Sequence, residues 1–264
     1  MLLVCEDFAA NLKIMSNPEF HTAAVIIIGN EILSGRTQDQ NLGYIGQRLD
    51  KLGIALIEAR VIPDDEKAIV ETVNSLRQSF TYVFTTGGIG PTHDDITSAS
   101  VAKAFSVRLE KNPEAVQSLR SYYDESRIND ARMKMALIPE GAVLINNPVS
   151  GAPGFQLDNV FVLPGVPLIL KAMFEGIEDR LVGGSPILSN SVTCNLREGQ
   201  IAGTLGKIQN KFTVVSIGSY PFFKRGRLGV NLVLRSRDEA ALQLAANEVR
   251  QMVQALGGKL FDAP

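Results

Sequence analysis

Residues 82–97, with the sequence YVFTTGGIGPTHDDIT, combine a short apolar run with a glycine-rich loop and a pair of aspartates. The β-branched and aromatic residues of Tyr82–Thr86 predict a buried strand. The glycines that follow let the backbone turn sharply, and they let its N–H groups approach a bound anion closely. A strand that runs directly into such a loop is typical of the carboxyl edge of a parallel α/β sheet.

Two further strand–helix units precede this stretch. Thr22–Ile28 is a continuous apolar run, typical of a strand buried on both faces, and Ile54–Ile62 predicts a second strand. Apolar residues at helical spacing follow each of them. Three repeats of this order imply right-handed crossovers, so we expect a three-layer α/β/α fold with a mostly parallel sheet. The expected helix starts are a capping box from Thr37 to Gln40, Asp64 as an N-cap, and a capping box from Thr92 to Asp95.

The remaining chain predicts more varied structure. Lys111–Leu137 has a polar, helical pattern, Asn146–Phe155 is expected to be a loop, and Val160–Leu163 predicts another strand. Residues 182–186, VGGSP, predict a linker. Beyond it the patterns predict a strand (187–195), a helix (199–208), two strands (212–218 and 228–235), a helix (238–256) capped by Ser236 and Glu239, and a final strand at Lys259–Phe261.

This order corresponds to a small ferredoxin-like α+β unit. The expected organisation is an N-terminal extension (1–21), a large nucleotide-binding domain (22–182) and the small domain (187–264). The small domain is expected to act either as a dimerisation element or as a lid.

Composition excludes several kinds of site. The chain has 264 residues, 26 basic and 28 acidic side chains, a net charge of −2, two histidines and two cysteines. None of these is spaced like zinc or iron–sulfur ligands, and we expect His21, Cys5 and Cys194 to be structural. The charge balance argues against a nucleic-acid partner, and the longest strongly apolar run is too short to cross a bilayer. With no signal-peptide pattern at the N-terminus, a cytoplasmic protein without a membrane partner is expected.

Acidic side chains follow each of the first three predicted strands. They are Glu31 and Asp39, then Asp64 and Asp65, then Asp94 and Asp95. The carboxyl ends of parallel strands share one edge of the sheet, so these loops are expected to meet. Crowded carboxylates beside a phosphate loop favour a hard divalent cation that bridges carboxylate and phosphate oxygens. The alternative is that each acidic residue caps a helix or is simply solvated.

Three other features each have two interpretations. His93 either contacts a phosphate or is an exposed loop residue. Residues 222–227, FFKRGR, either stack a base and pair with a phosphate or form a solvated hairpin turn. Tyr122 and Tyr123 either stack on a ligand ring or pack on their own helix.

Several motifs together resemble the MoaB/MogA-like family of molybdopterin-binding folds. They are Gly29–Gly35 with Asp39 and Asn41, Val61–Asp65, Thr85–Thr97, Asn147-Pro148 with Gly151–Gly154, and Leu163–Pro167. Within the family the chain is most similar to the CinA-like branch and to the molybdopterin-binding-like domain of FAD synthase. The similarity covers about residues 22–256, and Ile217–Pro221 and Leu232–Asp238 resemble the small domain of those proteins.

The resemblance implies the three-layer fold, oligomers, and two functionally central aspartates at Asp64 and Asp95. In the CinA-like branch this site is linked to hydrolysis of ADP-ribose-type pyrophosphates with a divalent metal and potassium, and in FAD-synthase-type domains to cleavage of the FAD pyrophosphate. The adenylyltransferase branch binds a pterin phosphate and activates it with AMP, using Mg²⁺. Ile89 stands where that branch usually has threonine.

We therefore expect a metal-dependent pyrophosphatase of ADP-ribose or FAD type, with Mg²⁺, Mn²⁺ or Co²⁺ as the cation. The alternative is a molybdopterin-binding module or an adenylyl-transferring protein of molybdenum cofactor synthesis. The expected partners are a small nucleotide or pterin phosphate and further copies of the chain. Catalysis is assigned to Asp64 and Asp95, metal binding to Asp64, Asp94 and Asp95, and phosphate or nucleotide binding to Gly29, Glu31, Gly35, Asn41, Gly87, Gly88, Gly90, Pro91, Thr92, Thr97, Pro153, Gly154, Pro164 and Gly165.

Overall fold

A computed structural model of the chain describes residues 21–224 and 226–261. The expected N-terminal extension, with Cys5, and Arg225 lie outside the described residues. The fold divides into two compact units, the first ending at Gly184 and the second beginning at Ser185.

The first unit is an alternating series of strands and helices. Its strands are β1 (His21–Ile28), β2 (Ile54–Ile62), β3 (Tyr82–Thr86), β4 (Leu109–Lys111), β5 (Leu137–Pro139), β6 (Val143–Ile145), β7 (Gly154–Leu157) and β8 (Val160–Leu163). Its helices are α1 (Asn30–Leu33), α2 (Asn41–Lys51), α3 (Glu66–Arg77), α4 (Thr97–Ala104), α5 (Pro113–Tyr122), α6 (Asp130–Lys134) and α7 (Pro167–Glu175), with 3₁₀ turns at Glu125–Arg127 and Glu178–Arg180.

One six-stranded sheet forms the middle layer, in the order β2-β1-β3-β8-β7-β6. The first four strands are parallel, and β7 and β6 continue the sheet in antiparallel fashion. Because side chains alternate along a strand, β1 contributes to two cores. Ile26 belongs to the core with α3, α4 and α5, and Val25 belongs to the core with α2 and α7. Both faces of the sheet are therefore covered, and the predicted three-layer, mostly parallel fold is confirmed.

Short antiparallel strands were not predicted. The segment Asn146–Phe155 was expected to be a loop, but its last two residues begin β7, which pairs with β8. Strand β6 precedes that segment, and β4 pairs with β5 on either side of the predicted helical excursion. These strands have three or four residues, which is too few for a period of two to show in the sequence.

The helix starts also differ from the expected capping boxes. Asp65, not Asp64, caps α3, because its carboxylate accepts from the Ala68 N–H at 2.9 Å. Asp39 accepts from the Leu42 N–H at 2.9 Å near the start of α2, a role expected of Thr37. In the glycine loop, α4 begins only at Thr97, so the Thr92–Asp95 motif forms a separate turn before the helix. In the first two loops a nearby aspartate, rather than the predicted cap, accepts an N–H in the first turn of the helix, because the backbone places its carboxylate at the helix start.

The second unit consists of β9 (Leu188–Cys194), α8 (Glu198–Lys211), β10 (Ser216–Lys224), β11 (Arg227–Ser236), α9 (Glu239–Ala255) and β12 (Leu260–Phe261). Its antiparallel sheet has the order β10-β11-β9-β12. This is the predicted ferredoxin-like arrangement. Strand β10 runs six residues beyond the predicted end at 218, and Asp238 caps α9 where a box from Ser236 to Glu239 was expected.

Among the described residues, no helix combines the length and the apolar character that crossing a bilayer requires.

Candidate functional site

The site lies where the order of parallel strands reverses. The chain passes from β1 to the neighbouring edge strand β2, and then returns to β3 on the other side of β1. Ligands of open α/β sheets bind at such a point, outside the carboxyl ends of the strands. At this point Gly87, the first residue after β3, meets the end of β1. A Cβ built on Gly87 would lie 2.2 Å from the carbonyl oxygen of Ile28.

Hydrogen bonds join the strand-end loops into one rim. The Asn30 N–H, after β1, donates to Oδ2 of Asp64, after β2, at 2.9 Å. The Asn41 amide donates to the carbonyl oxygen of Gly165, after β8, at 2.8 Å. A Cβ on Gly165 would in turn lie 3.4 Å from Cα of Gly87. The loops after all four parallel strands are thus in contact, as expected for the first three.

The glycine loop presents its backbone to this rim. Gly87 and Gly88 have φ values of 102° and 68°, which favour glycine. Thr97 holds the loop from below, because its hydroxyl donates to the Gly87 carbonyl oxygen and its N–H to that of Gly88, both at 3.0 Å. Within the described part of the chain, the N–H groups of Gly88, Ile89 and Gly90 have no protein acceptor. A run of such N–H groups is suited to binding an anion.

Two carboxylates are organised by Thr92 beside the glycine loop. The Thr92 N–H donates to Oδ2 of Asp95 at 2.7 Å, and the Thr92 hydroxyl oxygen lies 2.5 Å from that atom and 2.5 Å from Oδ1 of Asp94. The hydrogen bond from Thr92 holds the pKa of Asp94 below its usual range. Lys134 completes this turn by donating from its ammonium group to the Thr92 carbonyl oxygen.

Lys134 was not predicted from the sequence. It ends the short helix α6 inside the polar helical segment, and no motif or spacing distinguished it there. It also lines a small recess together with Gly90 and Asp95. Lys134 is identified only in the folded structure, where its ammonium group contacts the turn that carries Asp94 and Asp95.

The predicted metal ligands divide between two parts of the rim. Asp64 accepts from the Asn30 N–H, whereas Asp94 and Asp95 share the turn formed by Thr92. Asp64 and Asp95 are half-buried and Asp94 is exposed. In the described chain no group of three or more acidic, histidine or cysteine side chains is close enough to hold a metal. Mg²⁺ is commonly held by one or two carboxylates together with substrate phosphates, so these residues fit a cation that arrives with a phosphate ligand.

Other predicted site residues have structural roles in the described fold. Thr97 is fully buried and its hydroxyl donates to the Gly87 carbonyl oxygen, so in this structure it supports the loop, and its contact with phosphate stays a prediction. Gly154 lies within β7, where a Cβ would be 2.3 Å from the Val162 carbonyl oxygen, and Pro153 before it is buried. Gly35 forms an exposed turn with φ of 71°. Gly29 donates its N–H to the Ile62 carbonyl oxygen at 3.1 Å, and a Cβ on it would lie 2.6 Å from Oε1 of Glu31, so Gly29 and Glu31 contact each other at the rim. Pro91 and Pro164 also lie in the rim loops, and their role stays a prediction.

Two further predicted residues, Asn41 and His93, differ in their exposure. Asn41 is 3% exposed, and its Oδ1 has no hydrogen-bond partner among the described residues, which leaves a buried acceptor beside Gly165. The His93 side chain is fully exposed, and its Nδ1 lies 3.9 Å from Oδ1 of Asp94. That exposure agrees with the interpretation of His93 as a loop residue.

Comparisons with known proteins agree with this architecture. A family model described as a probable molybdopterin binding domain matches residues 24–182. The chain belongs to this family. A second model, the middle domain of FAD synthase, matches residues 186–257 of the small unit. The resemblance inferred from the motifs is therefore confirmed for both units of this molybdopterin-binding-domain protein.

Individual relatives cover most of the chain. A curated protein from Archaeoglobus fulgidus is 33% identical over 229 residues, which cover 87% of this chain and 96% of the relative. A probable FAD synthase from Caenorhabditis elegans is 29% identical over 89% of this chain, which spans only 50% of that protein. The crystal structure of CinA from Thermoplasma acidophilum, a protein of unknown function, has a TM-score of 0.58 at 33% identity and covers 61% of this chain and 98% of its own.

Proposed function

We propose that the chain hydrolyses the pyrophosphate of a dinucleotide of ADP-ribose or FAD type, with a divalent metal ion, and releases AMP. The observation that carries this proposal is the run of three N–H groups without a protein acceptor, at Gly88, Ile89 and Gly90, beside the carboxylates of the Thr92–Asp95 turn. An anion receptor next to fixed carboxylates suits a phosphate group that binds together with a cation.

Each residue of the rim has a distinct role in the proposed reaction. The three N–H groups bind oxygens of the pyrophosphate and stabilise the negative charge that grows on them in the transition state. Asp64 and Asp95 would hold the divalent ion, which when bound supplies Lewis-acid polarisation of phosphoryl oxygens. Lys134 and Thr92 keep the Asp95 carboxylate in place. The Asn41 amide, which donates to the Gly165 carbonyl oxygen, keeps the loop after β8 against this rim.

The reaction itself balances with water as the only co-substrate. Water attacks one phosphorus in line with the bridging oxygen, the bridging P–O bond breaks, and a proton is released. ADP-ribose would yield AMP and ribose phosphate, and FAD would yield AMP and flavin mononucleotide.

A second candidate follows from the family match. The match to a molybdopterin binding domain favours retention of a pterin phosphate in the same rim, either without turnover or with adenylyl transfer. Adenylyl transfer would consume ATP only when the pterin is present. Tight retention without any product would indicate the binding module.

The test is a turnover screen of the purified chain. ADP-ribose, FAD and other dinucleotides are incubated with Mg²⁺, Mn²⁺ or Co²⁺, with and without potassium, and AMP is quantified by chromatography. We expect metal-dependent AMP release from at least one dinucleotide, abolished by a chelator. No turnover of any dinucleotide with any of these ions would contradict the proposal, and ATP consumption that requires a pterin would favour the alternative.

A further inference from the structure

The small unit has a cavity of its own at the end of its β10–β11 hairpin. In the register of this hairpin Pro221 pairs with Val230 and Phe223 with Leu228. Val230 is fully buried in the core of the unit, whereas Phe223 is 71% exposed and Leu228 53% exposed. The hairpin therefore carries the apolar face of the sheet beyond the part that is covered by helices.

The cavity at this place has a volume of about 420 Å³, within the range of small-molecule sites. Phe222, Phe223, Leu196 and Leu228 supply most of its apolar lining. Gly229 supports the aromatic wall, since a Cβ there would lie 2.7 Å from Cζ of Phe222 and 2.4 Å from the Cys194 carbonyl oxygen. Phe223 lies on the same face of the hairpin as Leu228 and Val230, and its exposed ring favours a flat, aromatic occupant.

Two charged residues are among the described residues that line the cavity. Arg197 and Glu198 line it where helix α8 begins. Among the described residues no carboxylate forms an ion pair with Arg197. Glu198 accepts from the Ser219 hydroxyl at 2.7 Å, which fixes its carboxylate as a hydrogen-bond acceptor. The cavity therefore combines a cationic hydrogen-bond donor, Arg197, and an anionic acceptor, Glu198, with an exposed aromatic ring.

We propose that this cavity binds a mononucleotide. The base stacks on Phe223, the phosphate pairs with the Arg197 guanidinium, and a ribose hydroxyl donates to Glu198. A ligand that has the ring but no phosphate cannot pair with Arg197. Inorganic phosphate can pair with Arg197 but has no ring to stack on phenylalanine. The cavity is built entirely from the second unit, and the proposal does not depend on the hydrolysis proposed for the strand-end loops.

The chain contains no tryptophan, which permits a specific reporter. In a Phe223→Trp variant the only indole lies at the cavity, and its fluorescence reports occupancy there. We expect saturable quenching by FMN and by AMP, weaker effects of riboflavin and adenosine, and none from inorganic phosphate. In the same background, Arg197→Gln is expected to lower the affinity for FMN and for AMP about tenfold and to leave the affinity for riboflavin unchanged.

Controls separate this cavity from the other site. Lys207→Gln removes a charge on the same helix away from the cavity and should change nothing. Asp64→Asn should also leave the tryptophan signal unchanged, whatever its effect on dinucleotide turnover. Calorimetry on the native chain gives a second measurement in case tryptophan alters the cavity. In Phe223→Ala we expect the heat of ligand binding at this cavity to disappear. Equal affinity for riboflavin and FMN, insensitivity to Arg197→Gln, or no binding in either assay would overturn the proposal.

Discussion

At the scale of single residues, Gly87 and Gly35 show how differently two glycines with positive φ constrain a loop. Gly87 has a φ of 102° and no space for a Cβ beside Ile28, whereas Gly35 has a φ of 71° and nothing within 4 Å. We expect Gly87→Ala to lower the free energy of unfolding by about 3 kcal/mol or more, and Gly35→Ala by about 1 kcal/mol. Denaturant titration of both variants measures the difference. Equal losses would show that the contact with Ile28 is not the constraint.

The turn formed by Thr92 makes a prediction about protonation. The hydrogen bond from Thr92 lowers the pKa of Asp94. A lowered pKa in the folded state means that ionised Asp94 favours folding at neutral pH and that this contribution is lost as the pH falls through the folded pKa, below about 4. In Thr92→Val the Asp94 pKa should rise toward its ordinary value of 3.8. Carboxyl-carbon NMR titration measures it, and an unchanged midpoint would exclude Thr92 as the cause.

The pair Asp64 and Asp65 shows what a sequence can and cannot establish about a site. The sequence pattern predicted Asp64 as the cap of α3, and this prediction was wrong. The structure gives the cap to Asp65 and directs Asp64 to the Asn30 N–H of another loop. Contacts between loops that are 34 residues apart, and the position of Lys134, depend on the packing of the whole sheet, which local pattern does not encode.

At the scale of elements, strands marked by a clear apolar run were predictable, at the edge of the sheet as well as at its centre. Strands β2, β3 and β8 have their predicted bounds. Strands β3 and β8 are runs of β-branched and aromatic residues that are almost entirely buried, whereas β2 is an edge strand whose residues alternate between half-buried and exposed. Strands β6 and β7 flank a loop rich in proline and glycine. The pairing of β7 with β8, and of β6 with β7, follows from the sheet rather than from their own composition. Element type was therefore clearest where an apolar run is long enough to stand out from its flanking loops.

Helix α2 is linked to the turn after α7 by a two-point ion pair. Arg48 Nε and Nη2 donate to the two carboxylate oxygens of Glu178 at 2.5 and 2.6 Å, and their side chains are only 28% and 21% exposed. A double-mutant cycle with Arg48→Gln and Glu178→Gln should give a coupling energy of about 1 kcal/mol that falls at high salt. The exposed pair of Lys67 and Glu71 is the control, with a coupling of about 0.3 kcal/mol. Equal coupling in both cycles would contradict the geometric argument.

At the scale of the whole molecule, the two units have separate hydrophobic cores. The residues that close the first unit are firmly attached to it. The Val182 N–H donates to the Tyr82 hydroxyl at 2.8 Å, and the Gly184 N–H donates to the Leu52 carbonyl oxygen at 3.1 Å. We therefore expect a fragment of residues 21–184 to unfold cooperatively, whereas one that ends at 180 should be less stable. Thermal unfolding followed by circular dichroism compares them, and identical midpoints would contradict this assignment.

The central claim is that the rim around Asp64 and the glycine loop cleaves a dinucleotide pyrophosphate with a divalent ion. The most direct measurement is the rate of AMP release by the native chain, Asp64→Asn and Asp65→Asn, each with Mg²⁺ and with a chelator. Asparagine keeps the shape of aspartate and is itself a good N-cap, so both variants should fold normally.

We predict metal-dependent release by the native chain and by Asp65→Asn at similar rates, and a loss of at least about 100-fold in Asp64→Asn. Release at the native rate by Asp64→Asn, or an equal loss in both variants, would contradict the role assigned to Asp64 in this rim.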